Sequence, residues 1–117
     1  MNDFPMVETP QQVISALASI RAESDRGLKL LQDAETNQVQ LELAAERLDA
    51  AAYLEATGTD THRKTVAKVA SMDAREAAEL AKVRVNYIKT KLRHLSEATM
   101  SIQTSARMVE LDWKTTK

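Results

Sequence analysis

The chain has 117 residues, enough for one domain, with 44% hydrophobic residues, only 3% aromatic residues and a net charge of −1. Much of the apolar share is alanine, which buries little area, so a single-chain core would be thin. The lack of cysteine excludes disulfides, thiolate zinc sites and cysteine nucleophiles. Two glycines and two prolines argue against a loop-rich or all-β fold, and no apolar run approaches the roughly 20 residues of a membrane span.

Residues 1–8 lack periodicity and read as an N-terminal arm. The opening MNDFPMVETP carries acids and no basic n-region, so it is not a secretory signal, and the default location is the cytoplasm. Residues 9–117 read as one helical domain. Thr9 is a candidate cap, Pro10 suits the first helical position and Gln12 completes a capping box. A 3–4 alternation then runs through Val13, Leu17, Ile20, Ser24, Gly27, Leu31, Ala34, Gln38, Leu41, Ala45, Leu48 and Ala52. This is coiled-coil spacing, and it predicts helix 1 over about 10–57. Gly27 costs about 1 kcal/mol against alanine inside a helix, so SDRG marks a candidate bend or break.

A turn is expected over 57–60, centred on Gly58, with Thr59 capping the next helix and Asp60 in its first turn. The second stripe runs Ala67, Ala70, Ala74, Ala77, Ala81, Val85, Ile88, Leu92, Leu95, Thr99, Ile102, Ala106, Val109 and Trp113. With no glycine or proline after Thr59, helix 2 is predicted to run uninterrupted over about 60–113. It cannot bury its stripe alone. The expected fold is therefore all-α, a long antiparallel, coiled-coil-like helical hairpin in which facing residue numbers sum to about 117. Residues 1–58 hold four basic and ten acidic side chains, net −6, and residues 59–117 hold twelve and seven, net +5. The hairpin lays the acidic half along the basic half.

Many apolar residues lie off both stripes. These are Ile14, Leu28, Leu30, Val39, Leu43 and Leu54 in the first helix, and Val66, Val69, Met72, Leu80, Val83, Tyr87, Met100, Met108 and Leu111 in the second. Two helices cannot cover so many, so a homodimer closing into a four-helix bundle is expected, with a helix from another protein as the other solution.

Catalytic signals are weak. Asp60 and His62 are two residues apart and do not share a helix face, and neither histidine has a glutamate three residues before it, so no metal site is expected. There is no G-x-S-x-G element and no glycine-rich phosphate loop. No cofactor is expected, and the chain reads as a non-enzyme. The segment KVRVNYIKTKLRH carries Lys82, Arg84, Lys89, Lys91 and Arg93 with Tyr87 among them and no acid. Such a strip can track a phosphate backbone and stack on a base. In the hairpin it would face Glu23, Asp25, Asp33 and Glu35, and the favoured reading is neutralisation by that facing helix. His62, Arg63, Lys64 and Lys68 form a smaller basic group at the turn, with Arg63 and Lys64 working against the helix dipole. Trp113, last on its stripe, is a cap of the seam or a partner anchor.

The pattern Tyr53-Leu54-x-Ala56-x-Gly58-Thr59-x-x-x-Arg63-Lys64 is followed by an alanine-rich helix with a basic stretch and the ending SIQTSARMVELDW. Across roughly residues 40–113 it resembles small helical proteins encoded by tailed bacteriophages, often found among early, replication or recombination genes. The resemblance implies the host cytoplasm and an accessory role near DNA metabolism or host takeover, and it supplies no catalytic residue. The resulting expectation is an oligomeric protein that acts by binding a phage or host protein. The alternatives are direct nucleic-acid binding through the 82–94 strip and a structural or scaffold role in a phage particle.

Overall fold

A computed structural model describes the chain from Thr9 to Thr116, with side chains up to Asp112. The predicted N-terminal arm lies outside the described residues, as does the side chain of Trp113. The described chain is all-α. Helix α1 spans Pro10–Glu55, α2 spans Asp60–Ala70 and α3 spans Met72–Thr116. Among the described residues no helix is long and apolar enough to cross a membrane.

The start of α1 forms as its local sequence dictates. Thr9 Oγ1 accepts from the Gln12 N–H at 3.2 Å, and Gln12 Oε1 accepts from the Thr9 N–H at 3.1 Å. Two otherwise unsatisfied donors are thus met reciprocally. The helix does not break at Gly27; it runs 46 residues without interruption. Propensity is a weak prior, and at this position packing overrides it. A Cβ on Gly27 would fall 2.7 Å from Leu92 Cδ2, so the missing side chain is the space that Leu92 fills.

The chain divides into two compact units, one formed by residues up to Leu30 with those from Ile88 onward, the other by Leu31–Tyr87. In the first, the beginning of α1 packs on the end of α3. Ala16, Ile20, Ala98 and Ile102 are buried there, with Val13, Leu17 and Leu95 packed against them. The second unit is a helical hairpin made by the second half of α1, a four-residue corner, α2 and the beginning of α3. Its buried apolar residues are Ala34, Ala45, Ala67, Ala78, Ala81 and Val85. Alanines let helix backbones approach closely and bury little area per residue.

The second stripe departs from expectation at one place. Ser71 stands as a turn residue between α2 and α3, with φ −97° and ψ 3°. The predicted single helix is therefore two. Hydrogen bonding of the helical type carries across the junction, from the Ser71 N–H to the Ala67 carbonyl at 3.1 Å and from the Arg75 N–H to the Ser71 carbonyl at 2.9 Å. Ser71 Oγ donates to the Ala67 carbonyl at 2.9 Å and accepts from Arg75 at 2.8 Å. The first bond alone does not break a helix, since Thr36, Thr65, Thr99 and Thr104 make it inside unbroken helices. Ser71 is fully buried, whereas Ala70, assigned to the stripe from spacing, is exposed. Opposite the break α1 changes register too. Leu48 is 47% exposed, and the inward positions after Ala45 become Asp49, Ala52 and Tyr53. Facing numbers sum to 119 for Gly27 and Leu92 and to 120 for Asp49 and Ser71, slightly above the expected 117.

Candidate functional site

The corner from Tyr53 to Lys64 joins the end of α1 to the start of α2. Helix α1 ends at Glu55, and the connection occupies residues 56–59, one earlier than expected. Gly58 adopts φ +106°, a conformation that L side chains rarely reach. Thr59 is extended, and its hydroxyl accepts from the His62 N–H at 3.2 Å, capping α2. Asp60, in the positive first turn, accepts a short hydrogen bond from the Tyr53 hydroxyl and pairs with Lys64 at 3.0 Å.

Arg63 closes the corner. Its Nε and Nη2 donate to the Tyr53 carbonyl at 3.1 and 3.0 Å, and its guanidinium lies 4.2 Å from the centre of the Tyr53 ring. The carbonyl it caps belongs to the last turn of α1, where a cation is favourable. The sequence reading therefore needs correcting: Arg63 is half-buried and committed to α1, and Lys64 is offset by Asp60. The apparent mismatch with the α2 dipole disappears once both partners are identified. His62 and Lys68 are exposed.

The electrostatics follow from these contacts. The Tyr53 hydroxyl, and after it Lys64, hold the Asp60 carboxyl below its ordinary value. Donation to Asp60 raises the Tyr53 phenol, and the Asp60 carboxylate raises Lys64. The cluster is a structural clasp between two helix ends, in which Tyr53, Asp60, Arg63 and Lys64 partner one another.

The basic strip is exposed along α3 at Lys82, Arg84, Tyr87, Lys89, Lys91 and Arg93. It does not form one face. Lys82 and Arg84 are two residues apart, about 200° around a helix, and so are Lys89 and Lys91. Arg93 pairs with Glu97 of its own helix at 4.0 Å. Among the described residues, none of Lys82, Arg84 and Lys89 is ion-paired with an acid of α1, which differs from the favoured neutralisation reading.

Among the described residues, each unit carries a groove beside its helices. In the hairpin unit a groove of about 510 Å³ is lined by Glu42, Glu46, Asp49, Arg75, Glu76 and Glu79 with two alanines. Arg75 is held by Ser71 Oγ at 2.8 Å and the Lys68 carbonyl at 3.0 Å, and it lies 3.7 Å from Asp49. In the other unit an apolar groove of about 360 Å³ is lined by Pro10, Val13, Ile14, Ala106, Val109 and Glu110. Among the described residues no group of three acids or histidines converges as a metal site.

The most extensive feature is apolar. Of the off-stripe residues singled out from the sequence, Val66 is half-buried and all the others are exposed, from Leu43 at 43% to Leu54 at 76%. The interior consists mostly of alanine, and the surface carries leucine, methionine, valine and tyrosine. Sequence reasoning missed Ser71, Arg75 and the role of Tyr53. Only the aromatic ten residues before an arginine across a glycine turn could have signalled the last of these.

The fold and these surfaces define an all-α helical protein whose apolar exterior calls for an oligomer or another partner. No protein-family model, curated protein or solved structure matches the chain.

Proposed function

We propose that this chain is a non-enzymatic interaction protein that works as a homo-oligomer, closing its exposed apolar faces into a four-helix bundle with a second copy. The supporting observation is the inverted distribution of apolar residues, with alanine inside and large side chains outside, because contiguous exposed apolar surface marks an interface. The resemblance to small phage proteins adds a context, an accessory role in replication, recombination or host takeover through a phage or host protein partner. Light scattering coupled to gel filtration tests the oligomer, and a single species at the mass of one chain, unchanged up to high micromolar concentration, refutes it. Affinity capture from host lysate, with and without nuclease, tests for a protein partner and for nucleic acid bridging it.

A second reading is direct nucleic-acid binding. It draws support from Lys82, Arg84 and Lys89, which lack ion pairs among the described residues. It requires an affinity that falls steeply with salt and drops on Lys89→Glu. The splitting of the basic residues onto two sides of α3 weighs against it.

A further inference from the structure

The outward face of α3 in the hairpin unit carries its own stripe. Met72, Leu80, Val83 and Tyr87 recur at spacings of eight, three and four, which places them on one side of the helix. All four are exposed, at 55%, 63%, 64% and 62%. The seam toward α1 uses Ala78, Ala81 and Val85, which are buried on the opposite side. Helix α3 therefore carries large apolar residues on two faces, with Glu76, four residues from both Met72 and Leu80, on the outer one, and α1 covers only the inner face.

Charge along this second stripe is ordered. Glu76 and Glu79 precede its centre, and Lys82 and Arg84 follow it. Among the described residues none of these four makes an ion pair within the chain. Two parallel copies would set each acid beside an acid and each base beside a base. Two antiparallel copies with a two-fold axis at Leu80 do the reverse. Glu76 stands level with the partner's Arg84, their numbers summing to 160, and Glu79 with the partner's Lys82, summing to 161. Met72 then faces the partner's Tyr87, at 159, and Leu80 meets its own mate on the axis. Glu79 and Lys82 also lie on the same flank of the stripe, which is the flank–flank match that an antiparallel helix pair requires.

We infer that a second copy of this chain docks here, through antiparallel pairing of the 72–87 segments of α3 about a two-fold axis at Leu80. The pairing is isologous, so each ion pair and each apolar contact occurs twice. The stripe spans about 24 Å of helix, and two copies of the hairpin brought together along it supply the four helices of a bundle. This inference rests on the oligomeric reading above and specifies its geometry.

The chain has no cysteine, so engineered thiols report without background. The expected result is a rapid intermolecular disulfide for Leu80→Cys, because the two Cα atoms at the axis come within disulfide range. Leu54→Cys, at the corner, serves as the control and stays reduced. Met72→Cys mixed with Tyr87→Cys forms the mixed disulfide, and neither links to itself. Glu79→Lys and Lys82→Glu each weaken the dimer by about tenfold or more, and the double variant restores it, since reversal of both charges recreates the pair. Circular dichroism of each variant checks the helices, and the disulfide pattern decides the case where a charge variant unfolds. A dimer in which Leu80→Cys stays reduced, or in which Met72→Cys links to itself, overturns the antiparallel face and leaves the oligomeric reading intact. A monomer at all concentrations overturns both.

Discussion

A Cβ on Gly27 would fall 2.7 Å from Leu92 Cδ2, so the glycine is the hole and the leucine is the knob. Two effects oppose each other in Gly27→Ala. The helix gains about 1 kcal/mol from propensity, and overpacking against Leu92 costs about 1–3 kcal/mol. The obstructing atom is the end of a flexible side chain, so part of that cost is relieved by rotation. The expected outcome is a net loss of about 0–2 kcal/mol in the wild-type background and a gain of about 1 kcal/mol when Leu92→Ala is already present. Urea unfolding of the four chains, at one fixed protein concentration, measures the coupling. Equal effects of Gly27→Ala in both backgrounds would remove the knob-and-hole account.

Arg63 and Lys64 are adjacent, and the structure ranks them very differently. Arg63 makes two hydrogen bonds to one carbonyl and lies over a ring, and it is half-buried. Lys64 makes one ion pair with 71% of its side chain exposed. Arg63→Ala is expected to cost about 1–3 kcal/mol, and Lys64→Ala much less, because solvent screens an exposed ion pair. Arg63→Lys does not rescue, because an ammonium cannot offer the two-pronged donor that meets the Tyr53 carbonyl. The check is the midpoint of chemical unfolding for the three variants, and a Lys64→Ala loss equal to that of Arg63→Ala would contradict the ranking.

Much of this architecture is legible in local sequence. The Thr9–Gln12 box, the Thr59 cap, the positive φ at Gly58 and most of both stripes follow from short-range rules, because each depends on residues within one or two turns. The exposed surplus was legible as well, since an off-stripe leucine has nowhere to go on a two-helix protein. What failed had a tertiary cause. Gly27 reads as a weak point until Leu92 is known to fill it. Arg63 reads as a misplaced charge until the Tyr53 carbonyl is brought to it across the turn. Ser71 has ordinary helical spacing on both sides, and what sets it apart is tertiary: it is fully buried, faces Asp49 and receives Arg75. The outer stripe of α3, the proposed dimer face, lies between these cases: its residues stand out in the sequence, and their exposure is known only once the α1 seam has been assigned.

Acid should weaken the corner through Asp60. The carboxylate is the hydrogen-bonded form, accepting from Tyr53 and pairing with Lys64, so its folded pKa is lowered. A lowered carboxylate contributes stability that is fully present above its unfolded pKa and is lost as pH falls through the folded value. Asp60→Asn should therefore destabilise the chain at neutral pH, with the difference from wild type vanishing in strong acid. Carboxyl-carbon NMR titration should find Asp60 below the ordinary aspartate range, and Tyr53→Phe should move it upward by removing the largest cause. An Asp60 titration that Tyr53→Phe leaves unchanged would mean that the hydroxyl does not hold this carboxylate in solution.

Ser71 separates two explanations for the break between α2 and α3. If the hydroxyl causes it, Ser71→Ala removes the competitor for the Ala67 carbonyl and the two helices merge, while Arg75 loses the oxygen it approaches at 2.8 and 3.1 Å. Arg75 has 45% of its side chain exposed, so water replaces the lost partner and the stability cost is small, about 1 kcal/mol or less. If the break instead follows from packing against the register change at Leu48 and Asp49, Ser71→Ala leaves it in place. Amide hydrogen exchange across residues 67–75 distinguishes the two, because a merged helix raises protection at the junction. A larger residue gives the complementary result. Ser71 is fully buried, so Ser71→Leu forces the helices apart and costs about 1–3 kcal/mol whichever explanation holds. Unchanged protection in Ser71→Ala with little loss of stability is the outcome expected, since Thr36, Thr65, Thr99 and Thr104 bond the carbonyl four residues back without a break.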